Sequence, residues 1–210
     1  MPELRTPAGV RGVVFDVGET LVDESRAWSA QAERAGVPPF TLMGLLGALI
    51  AEGKDHRRVW DLLGVERPAE SPVIKRGDFY PDALACLQAA RNAGLTLGIA
   101  GNQPSDIESQ LRTAGVTADF IASSAVWGIA KPSADFFSRV IAASHLDAGA
   151  ILYVGDRLDN DILPAREAGM RTAFIRRGPW GYVHAQRPEV ELADVRVESL
   201  AELTTAFTRS

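Results

Sequence analysis

The sequence predicts an α/β protein, with a parallel sheet covered by helices on both faces and a small all-helical insertion after the first strand. Two observations predict this class. Short apolar strands alternate with helical patterns of about ten to fifteen residues along most of the chain, and residues 24–78 show helical patterns alone. The 210 residues suffice for one core with a small accessory domain. We therefore predict a core domain of residues 1–23 and 79–210 and a helical cap of residues 24–78.

The strands are predicted from short runs rich in β-branched and aromatic residues. They span residues 13–15, 95–100, 119–122, 151–154 and 172–175. Apolar residues at helical spacing predict the core helices, which span residues 81–93, 105–114, 133–143, 159–168 and 199–207. Gly94, Gly115 and Gly169 are stop signals for three of these helices. Ser133 is a typical N-cap for the helix that follows it.

The insertion reads as three helices, near residues 25–35, 40–52 and 54–63, followed by a return rich in proline and charge. Its most apolar stretch, residues 40–51, is too short for a membrane-spanning helix, which needs about twenty residues, so a buried helix is predicted. An all-helical insertion between the first strand and the rest of the sheet suggests a small lid over the edge of the sheet at which the first strand ends.

The composition excludes several classes of protein. Hydrophobic residues at 46% and charged residues at 23% are typical of a soluble globular protein, and a net charge of −5 does not favour nucleic-acid binding. A single cysteine, Cys86, excludes an internal disulfide and fits a reducing compartment. No secretory signal is evident. We expect a cytoplasmic monomer or homodimer with no nucleic-acid or membrane partner.

Chemically active residues follow the predicted strands. In parallel sheets, ligands bind at the carboxyl ends of the strands. Asp16, Gly101-Asn102 and Gly155-Asp156 each lie just past a strand, so we expect them on one edge. Asp16, followed by a glycine-containing turn and Thr20, can be both nucleophile and metal ligand. Alternatively, Asp16 is an ordinary turn residue whose side chain hydrogen bonds to the nearby backbone in an Asx-turn.

Two further groups carry charge to the same edge. Asp156, Asp159 and Asp161 are oxygen ligands suited to Mg²⁺, although acids also favour a helix start. Asp159 is assigned to the helix start, and Asp156, held after Gly155, is the better ligand. Lys131, locked before Pro132, can neutralise a phosphate and the aspartates; alone it would be read as an inert exposed lysine.

Taken in order, these segments resemble the four motifs of the haloacid dehalogenase superfamily, in its phosphatase-like branch with a small helical cap of the C1 type. The first motif is Phe15-Asp16-Val-Gly-Glu-Thr20-Leu21, and the second is Leu97-Gly-Ile-Ala-Gly101-Asn102. Lys131-Pro132 resembles the third motif, and Gly155-Asp156 through Asp161 resembles the fourth. Each motif alone is weak, but four in order on predicted strand ends form a strong signal.

The resemblance implies a Rossmann-like three-layer α/β/α core and a Mg²⁺-dependent phosphatase acting on a small phosphorylated molecule. Asp16 would attack phosphorus, giving an aspartyl-phosphate that water hydrolyses, with Lys131 as the other catalytic residue. Mg²⁺ would be bound by Asp16, the carbonyl of Gly18 and Asp156. Asp161 would stand behind these ligands, orienting Lys131 or a water bound to the ion. Substrate would contact Gly101, Asn102 and Lys131.

Two positions depart from the family pattern. Gly18 replaces the aspartate that relatives use as general acid and base, a group typically worth about 10²–10⁴-fold in rate. Glu19 is a possible substitute, although neighbouring side chains point in different directions. Gly101 replaces a Ser or Thr whose hydroxyl holds the phosphoryl group, while backbone N–H groups from Asn102 onward remain available.

These departures leave three functions open. The first is a phosphatase weakened at Gly18 and Gly101 that acts on activated phosphates, in which Gly18→Asp raises activity. The second is a catalytically degenerate family member that binds a phosphorylated ligand or a protein. The third is a metal-independent 2-haloacid dehalogenase, because such relatives also lack the second aspartate of the first motif; the cluster of Asp156, Asp159 and Asp161 argues against it.

Outside the motifs, residues 176–182 read as a solvated turn that could also contact an acidic substrate. His56, His145 and His184 have no spacing that indicates a metal site.

Overall fold

The computed structural model describes residues 6–69 and 71–208. One six-stranded parallel sheet has the order β3-β2-β1-β4-β5-β6. Its strands are β1 (Gly12–Phe15), β2 (Thr96–Gly101), β3 (Phe120–Ser123), β4 (Ile151–Gly155), β5 (Arg171–Ile175) and β6 (Val195–Val197). The predicted parallel sheet is confirmed. The sequence does not predict β6, because only three residues pair and only its two valines are buried, which leaves too little periodicity to detect.

The helices cover both faces of this sheet and form the insertion. They are α1 (Ser25–Arg34), α2 (Pro39–Ala51), α3 (Val59–Leu63), α4 (Ala83–Asn92), α5 (Ile107–Thr113), α6 (Ser124–Trp127), α7 (Ala134–Ser144), α8 (Leu163–Glu167), α9 (Gly178–His184) and α10 (Leu200–Phe207). Short 3₁₀ turns lie at His56–Arg58, Arg76–Asp78, Ala148–Ala150 and Pro188–Leu192. The helix predicted over residues 159–168 is instead a π-helical turn (Leu158–Ile162) followed by α8.

Alternation along β1 explains why the sheet is covered on both sides. Val13 and Phe15 belong to the hydrophobic cluster that includes α4, α5 and α10, whereas Val14 belongs to the cluster that includes α7 and α8. Successive strand residues point to opposite faces, so a strand that is apolar at every position needs helices on both sides. The predicted three-layer α/β/α architecture is therefore confirmed.

The insertion begins and ends at one point of the core. Val22 and Phe79 form an isolated antiparallel bridge, which holds together the two ends of residues 24–78. Helices α1, α2 and α3 bury their apolar side chains in one cluster, and Trp180 of α9 is a member of that cluster. The insertion therefore packs on the core through a residue about one hundred positions after it ends.

In the described part of the chain, no single helix is long and apolar enough to cross a membrane. Helices α1 and α2 meet the length and composition criteria only as a pair, and they bend by 116° at their junction.

Residues 176–182 correct the sequence prediction of a solvated turn. The segment enters helix α9, and both Arg177 and Trp180 are buried. Arg177 donates hydrogen bonds to the carbonyl of Thr20 (3.0 Å) and to Asp82 Oδ2 (2.6 Å). Its guanidinium also lies 4.0 Å from the ring centroid of Tyr80. These partners come from distant parts of the chain, so local composition gave no sign of them.

Candidate active site

The carboxyl edge of the sheet brings together the charged residues that follow β1, β4 and α6. Lys131 Nζ donates hydrogen bonds to Asp16 Oδ1 (2.7 Å) and to Asp161 Oδ1 (2.5 Å). Asp16, Lys131, Asp156 and Asp161 are all buried. Ion pairing compensates a buried charge, so the lysine and its two aspartates form one electrostatic unit.

The side chain of Asn102 fixes the backbone of Lys131. Its Oδ1 accepts a hydrogen bond from Lys131 N (2.8 Å), and its Nδ2 donates one to Lys131 O (3.0 Å). Both polar ends of the amide are thus engaged in positioning the lysine. The Asn102 side chain is already hydrogen-bonded to Lys131, so the prediction that Asn102 contacts substrate now concerns its backbone N–H.

Asp161 is held from two directions. Besides Lys131, the backbone N–H of Arg157 donates to Asp161 Oδ2 (3.1 Å). The π-helical turn supplies this geometry, and such turns occur frequently at functional sites. With both oxygens accepting hydrogen bonds, Asp161 is suited to hold Lys131 in place. Asp159 lies outside this network, because it pairs with the side chain of Arg157. From the sequence, Asp159 is likewise assigned to the helix start and not to the metal site.

Charge crowding shifts the ionisation of these groups. Burial raises the pKa of Asp156 well above its ordinary value, and neighbouring Asp161 and Asp16 raise it further. Burial also raises the pKa of Asp161 to about 6, although Lys131 opposes the shift. Burial alone would lower the pKa of Lys131, but Asp16 and Asp161 raise it well above its ordinary value. Three carboxyl groups around one ammonium group therefore repel one another when ionised, and a bound proton or cation relieves this repulsion.

The donor set fits a hard divalent cation. One ligand atom from each of Asp16, Asp156 and Asp161 lies within 4.8 Å of the others. Asp156 Oδ2 is buried and has no hydrogen-bond partner in the described part of the chain. An unpartnered buried carboxylate oxygen costs free energy unless a cation compensates it. Oxygen ligands of this kind are those that Mg²⁺ prefers.

At position 18, the missing side chain leaves space that another residue fills. A Cβ atom on Gly18 would lie 2.7 Å from Glu24 Oε1 and 2.9 Å from Glu24 Cδ. Glu24 is half-buried. Burial raises its pKa to about 7, with further contributions from Glu19 and Asp16. Sequence reasoning missed Glu24, because its position six residues later at a helix start gave no chemical signal.

The structure does not favour Glu19 as the substitute acid. Glu19 Oε2 accepts a hydrogen bond from the hydroxyl of Tyr80 (2.6 Å), and its Oε1 accepts one from the backbone N–H of Glu24 (3.0 Å). Its Cβ and Cγ lie against Gly178, which starts α9. Glu19 lines the cavity, but both of its oxygens already accept hydrogen bonds from Tyr80 and Glu24, and these contacts support the turn of the first motif.

Gly101 lies directly against the nucleophile. A Cβ atom on Gly101 would lie 2.5 Å from Asp16 Oδ1, closer than a Cβ contact allows. A Ser or Thr at this position would therefore require Asp16 to shift away from its place beside Lys131. Glycine at position 101 therefore leaves the space that the Asp16 carboxylate occupies beside Lys131.

A cavity of about 1110 Å³ separates the insertion from the sheet edge. Its lining includes Asp16, Lys131 and Asp156 from the core and Trp28 and His56 from the insertion. The volume can enclose a small molecule next to the charged cluster. This cavity is also lined by five of the site residues predicted from the sequence, namely Asp16, Gly18, Asn102, Lys131 and Asp156. Gly101 is buried behind Asp16.

The sequence profile of the haloacid dehalogenase-like hydrolases matches residues 10–169, which include all four motifs. The chain belongs to this family. The predicted family and its hydrolase class are confirmed. A glyceraldehyde 3-phosphate phosphatase of Methanocaldococcus jannaschii is 33% identical over 223 residues, covering 92% of this chain and 95% of that protein.

Other members of the haloacid dehalogenase-like family resemble the chain more distantly. A phosphoserine phosphatase of Thermus thermophilus is 31% identical over 131 residues, covering 61% of this chain and 53% of that protein. The L-2-haloacid dehalogenase of Xanthobacter autotrophicus superposes with a TM-score of 0.67 at 20% identity, covering 93% of this chain and 97% of the other. This last likeness establishes the shared fold and leaves the reaction to be argued from the site.

Proposed function

We propose that this protein is a Mg²⁺-dependent phosphatase that hydrolyses a small phosphate monoester through an aspartyl-phosphate on Asp16. The observation that carries this proposal is the unpartnered, buried Asp156 Oδ2 beside a lysine-paired Asp16. A carbon-attacking dehalogenase has no use for an extra buried carboxylate, whereas a phosphatase of this family needs one for its metal ion. The relatives that match by sequence are named as phosphatases, which supports the same choice.

Each residue of the cluster has a proposed task. Asp16 Oδ attacks phosphorus, and water later attacks the phosphorus of the resulting aspartyl-phosphate and releases Asp16. Lys131 stabilises negative charge on the phosphoryl oxygens, and Asp161 keeps its ammonium group aimed at Asp16. Asp16, the carbonyl of Gly18 and Asp156 would hold Mg²⁺. The bound ion supplies positive charge that offsets the charge of the phosphoryl group.

We also propose that residues 24–78 act as the cap, of the C1 type, that encloses the substrate. Trp28 and His56 of this segment face the cavity together with Trp180, and the His56 and Trp180 rings lie 5.0 Å apart. An enclosed site strengthens electrostatic interactions and limits access of water. The two phosphatases described above act on small phosphate esters of alcohols by name, so we propose the same class of substrate here.

Metal binding can be tested without any substrate. At one hundred times its dissociation constant, Mg²⁺ stabilises the folded protein by about 2.7 kcal/mol, which raises Tm by roughly 5–10 °C for a chain of this size. We expect Asp156→Asn to lose most of this shift. In EDTA, the same variant should melt above the wild type, because one of three crowded carboxylates is neutralised.

Differential scanning calorimetry with and without Mg²⁺ measures both effects, and Asp135→Asn, an exposed aspartate in the first turn of α7, is the matched control. An equal Mg²⁺ shift in Asp156→Asn and the wild type would show that Asp156 is not a metal ligand.

The function itself is tested with glyceraldehyde 3-phosphate, phosphoserine and p-nitrophenyl phosphate, each assayed with Mg²⁺ and with EDTA, and with 2-chloropropionate. We expect release of inorganic phosphate in Mg²⁺ alone and no release of chloride. Chloride release in EDTA would establish the dehalogenase alternative instead. Binding of Mg²⁺ and phosphate without turnover of any phosphate ester would favour the non-catalytic alternative.

A further inference from the structure

Glu24 is the carboxyl group that stands where the general acid and base of this family is missing. Its Oε1 and Cδ would be 2.7 Å and 2.9 Å from a Cβ on Gly18. The space that an aspartate at position 18 would need is therefore filled by a carboxyl group of a different residue. A carboxyl group therefore reaches this place from the start of helix α1. The first motif lacks its acidic side chain in the sequence, but in the folded protein Glu24 supplies a carboxyl group at that position.

The position of Glu24 is held by its surroundings. Its backbone N–H donates to Glu19 Oε1 (3.0 Å), and Glu19 is itself fixed by the hydroxyl of Tyr80 (2.6 Å). Glu24 also lines the large cavity, and Trp28, one turn further along α1, lines the same cavity. A carboxyl group fixed at its base and open to the cavity can meet a substrate oxygen.

Glu24 is not one of the carboxylates that gather as a candidate metal site. Among the described residues, the carboxylates whose oxygens gather within 4.8 Å are Asp16, Asp156 and Asp161, and Glu24 is not among them. Within the described residues, Lys131 forms its ion pairs with Asp16 and Asp161. Glu24 thus lies against Gly18 without being one of the three gathered carboxylates.

We propose that Glu24 is the general acid and base of this enzyme, in place of the aspartate that Gly18 lacks. The inference rests on the proposed phosphatase function. In the first step, Asp16 Oδ bonds to phosphorus, the ester P–O bond breaks, and the Glu24 carboxylic acid gives its proton to the departing alkoxide oxygen. In the second step, the Glu24 carboxylate takes a proton from water as the water oxygen bonds to phosphorus. The P–O bond to Asp16 then breaks, and both carboxyl groups return to their starting forms.

Two substrates separate these steps. p-Nitrophenolate leaves without a proton, so its release needs little help from Glu24, whereas a primary alkoxide needs protonation. For Glu24→Gln, we expect turnover of glyceraldehyde 3-phosphate to fall by about 10²–10⁴-fold. With p-nitrophenyl phosphate, we expect a rapid burst of nitrophenolate close to one equivalent, then a slow steady rate as the aspartyl-phosphate accumulates. Acid quench with ³²P-labelled substrate measures this intermediate.

A relocation variant tests the shared space directly. Gly18→Asp/Glu24→Ala moves the carboxyl group to position 18, and we expect it to exceed Glu24→Ala in turnover of glyceraldehyde 3-phosphate by about tenfold or more. Gly18→Asp alone should bring no gain, because the new side chain competes with Glu24 for the same space; this reverses the expectation from sequence. Glu33→Gln, an exposed glutamate on α1, is the matched control and should behave as the wild type.

Each outcome is decisive. Equal slowing of the burst and of the steady rate in Glu24→Gln, or an unchanged rate with the alkyl ester, would overturn the assignment while leaving the phosphatase intact. A wild type without Mg²⁺-dependent phosphate release would overturn the proposed function and this inference together. If Glu24→Gln does not fold by circular dichroism, the comparison of Gly18→Asp/Glu24→Ala with Glu24→Ala gives the same decision.

Discussion

Asp16→Asn is expected to lower kcat/KM for every phosphate ester by on the order of 10⁴-fold or more, because an amide cannot form the aspartyl-phosphate. No labelled intermediate should appear in acid-quench experiments with this variant. The fold should persist, since the variant keeps the hydrogen bond from the backbone N–H of residue 16 to Val154 O (2.9 Å). The uncharged amide also relieves part of the repulsion with Asp156 and Asp161.

Steady-state assays and thermal melts of purified Asp16→Asn provide the measurement, with Asp135→Asn as a control of the same chemistry at an exposed site. The control should stay within a few-fold of the wild type, as surface substitutions usually do. A variant that keeps even a tenth of wild-type turnover would remove Asp16 as the nucleophile. The aspartyl-phosphate route would then have to be abandoned, whatever the metal dependence.

Lys131→Met is expected to damage both stability and catalysis. Its ammonium group is enclosed, with a side chain only 1% exposed, between Asp16 and Asp161. Removing one partner of a buried ion pair typically costs about 3–5 kcal/mol, because the remaining charges stay buried without compensation. Loss of a group that stabilises developing negative charge lowers kcat by about 10²–10³-fold.

A second substitution separates the two effects of Lys131. Lys131→Met/Asp161→Asn removes one of the uncompensated charges, so we expect urea unfolding in EDTA to show part of the lost stability restored, while kcat stays low. Lys75→Met, at an exposed lysine outside the cavity, is the control. Full recovery of kcat in the double variant would mean that Lys131 acts on the fold and not on the phosphoryl group.

Much of the fold could be predicted because its signals are local. Each of β1, β2, β4 and β5 contains an apolar run buried along nearly its whole length, which is what burial on both faces requires. Gly94, Gly115 and Gly169 adopt the positive φ angles of 74°, 99° and 85° expected after a helix. Ser133 does cap α7, accepting a hydrogen bond from Asp135 N (3.3 Å).

Other features were invisible because their causes lie far apart along the chain. The burial of Arg177 depends on Thr20, Tyr80 and Asp82, which approach it only in the folded protein. Helix α9 follows an arginine pair and contains two glycines, so its composition resembles a turn. Trp180 is buried because the insertion packs on it.

The order of motifs along the chain was enough to determine the family, and the strands before Asp16, Asn102 and Asp156 were enough to determine the edge where these residues meet. Parallel strands force their carboxyl ends to that edge, so the juxtaposition follows from topology alone. Only tertiary packing decided which carboxyl group stands beside Gly18. Side-chain direction in an irregular turn depends on contacts from distant parts of the chain. The hydroxyl of Tyr80 holds the Glu19 carboxylate, and the Glu24 carboxyl group lies against Gly18.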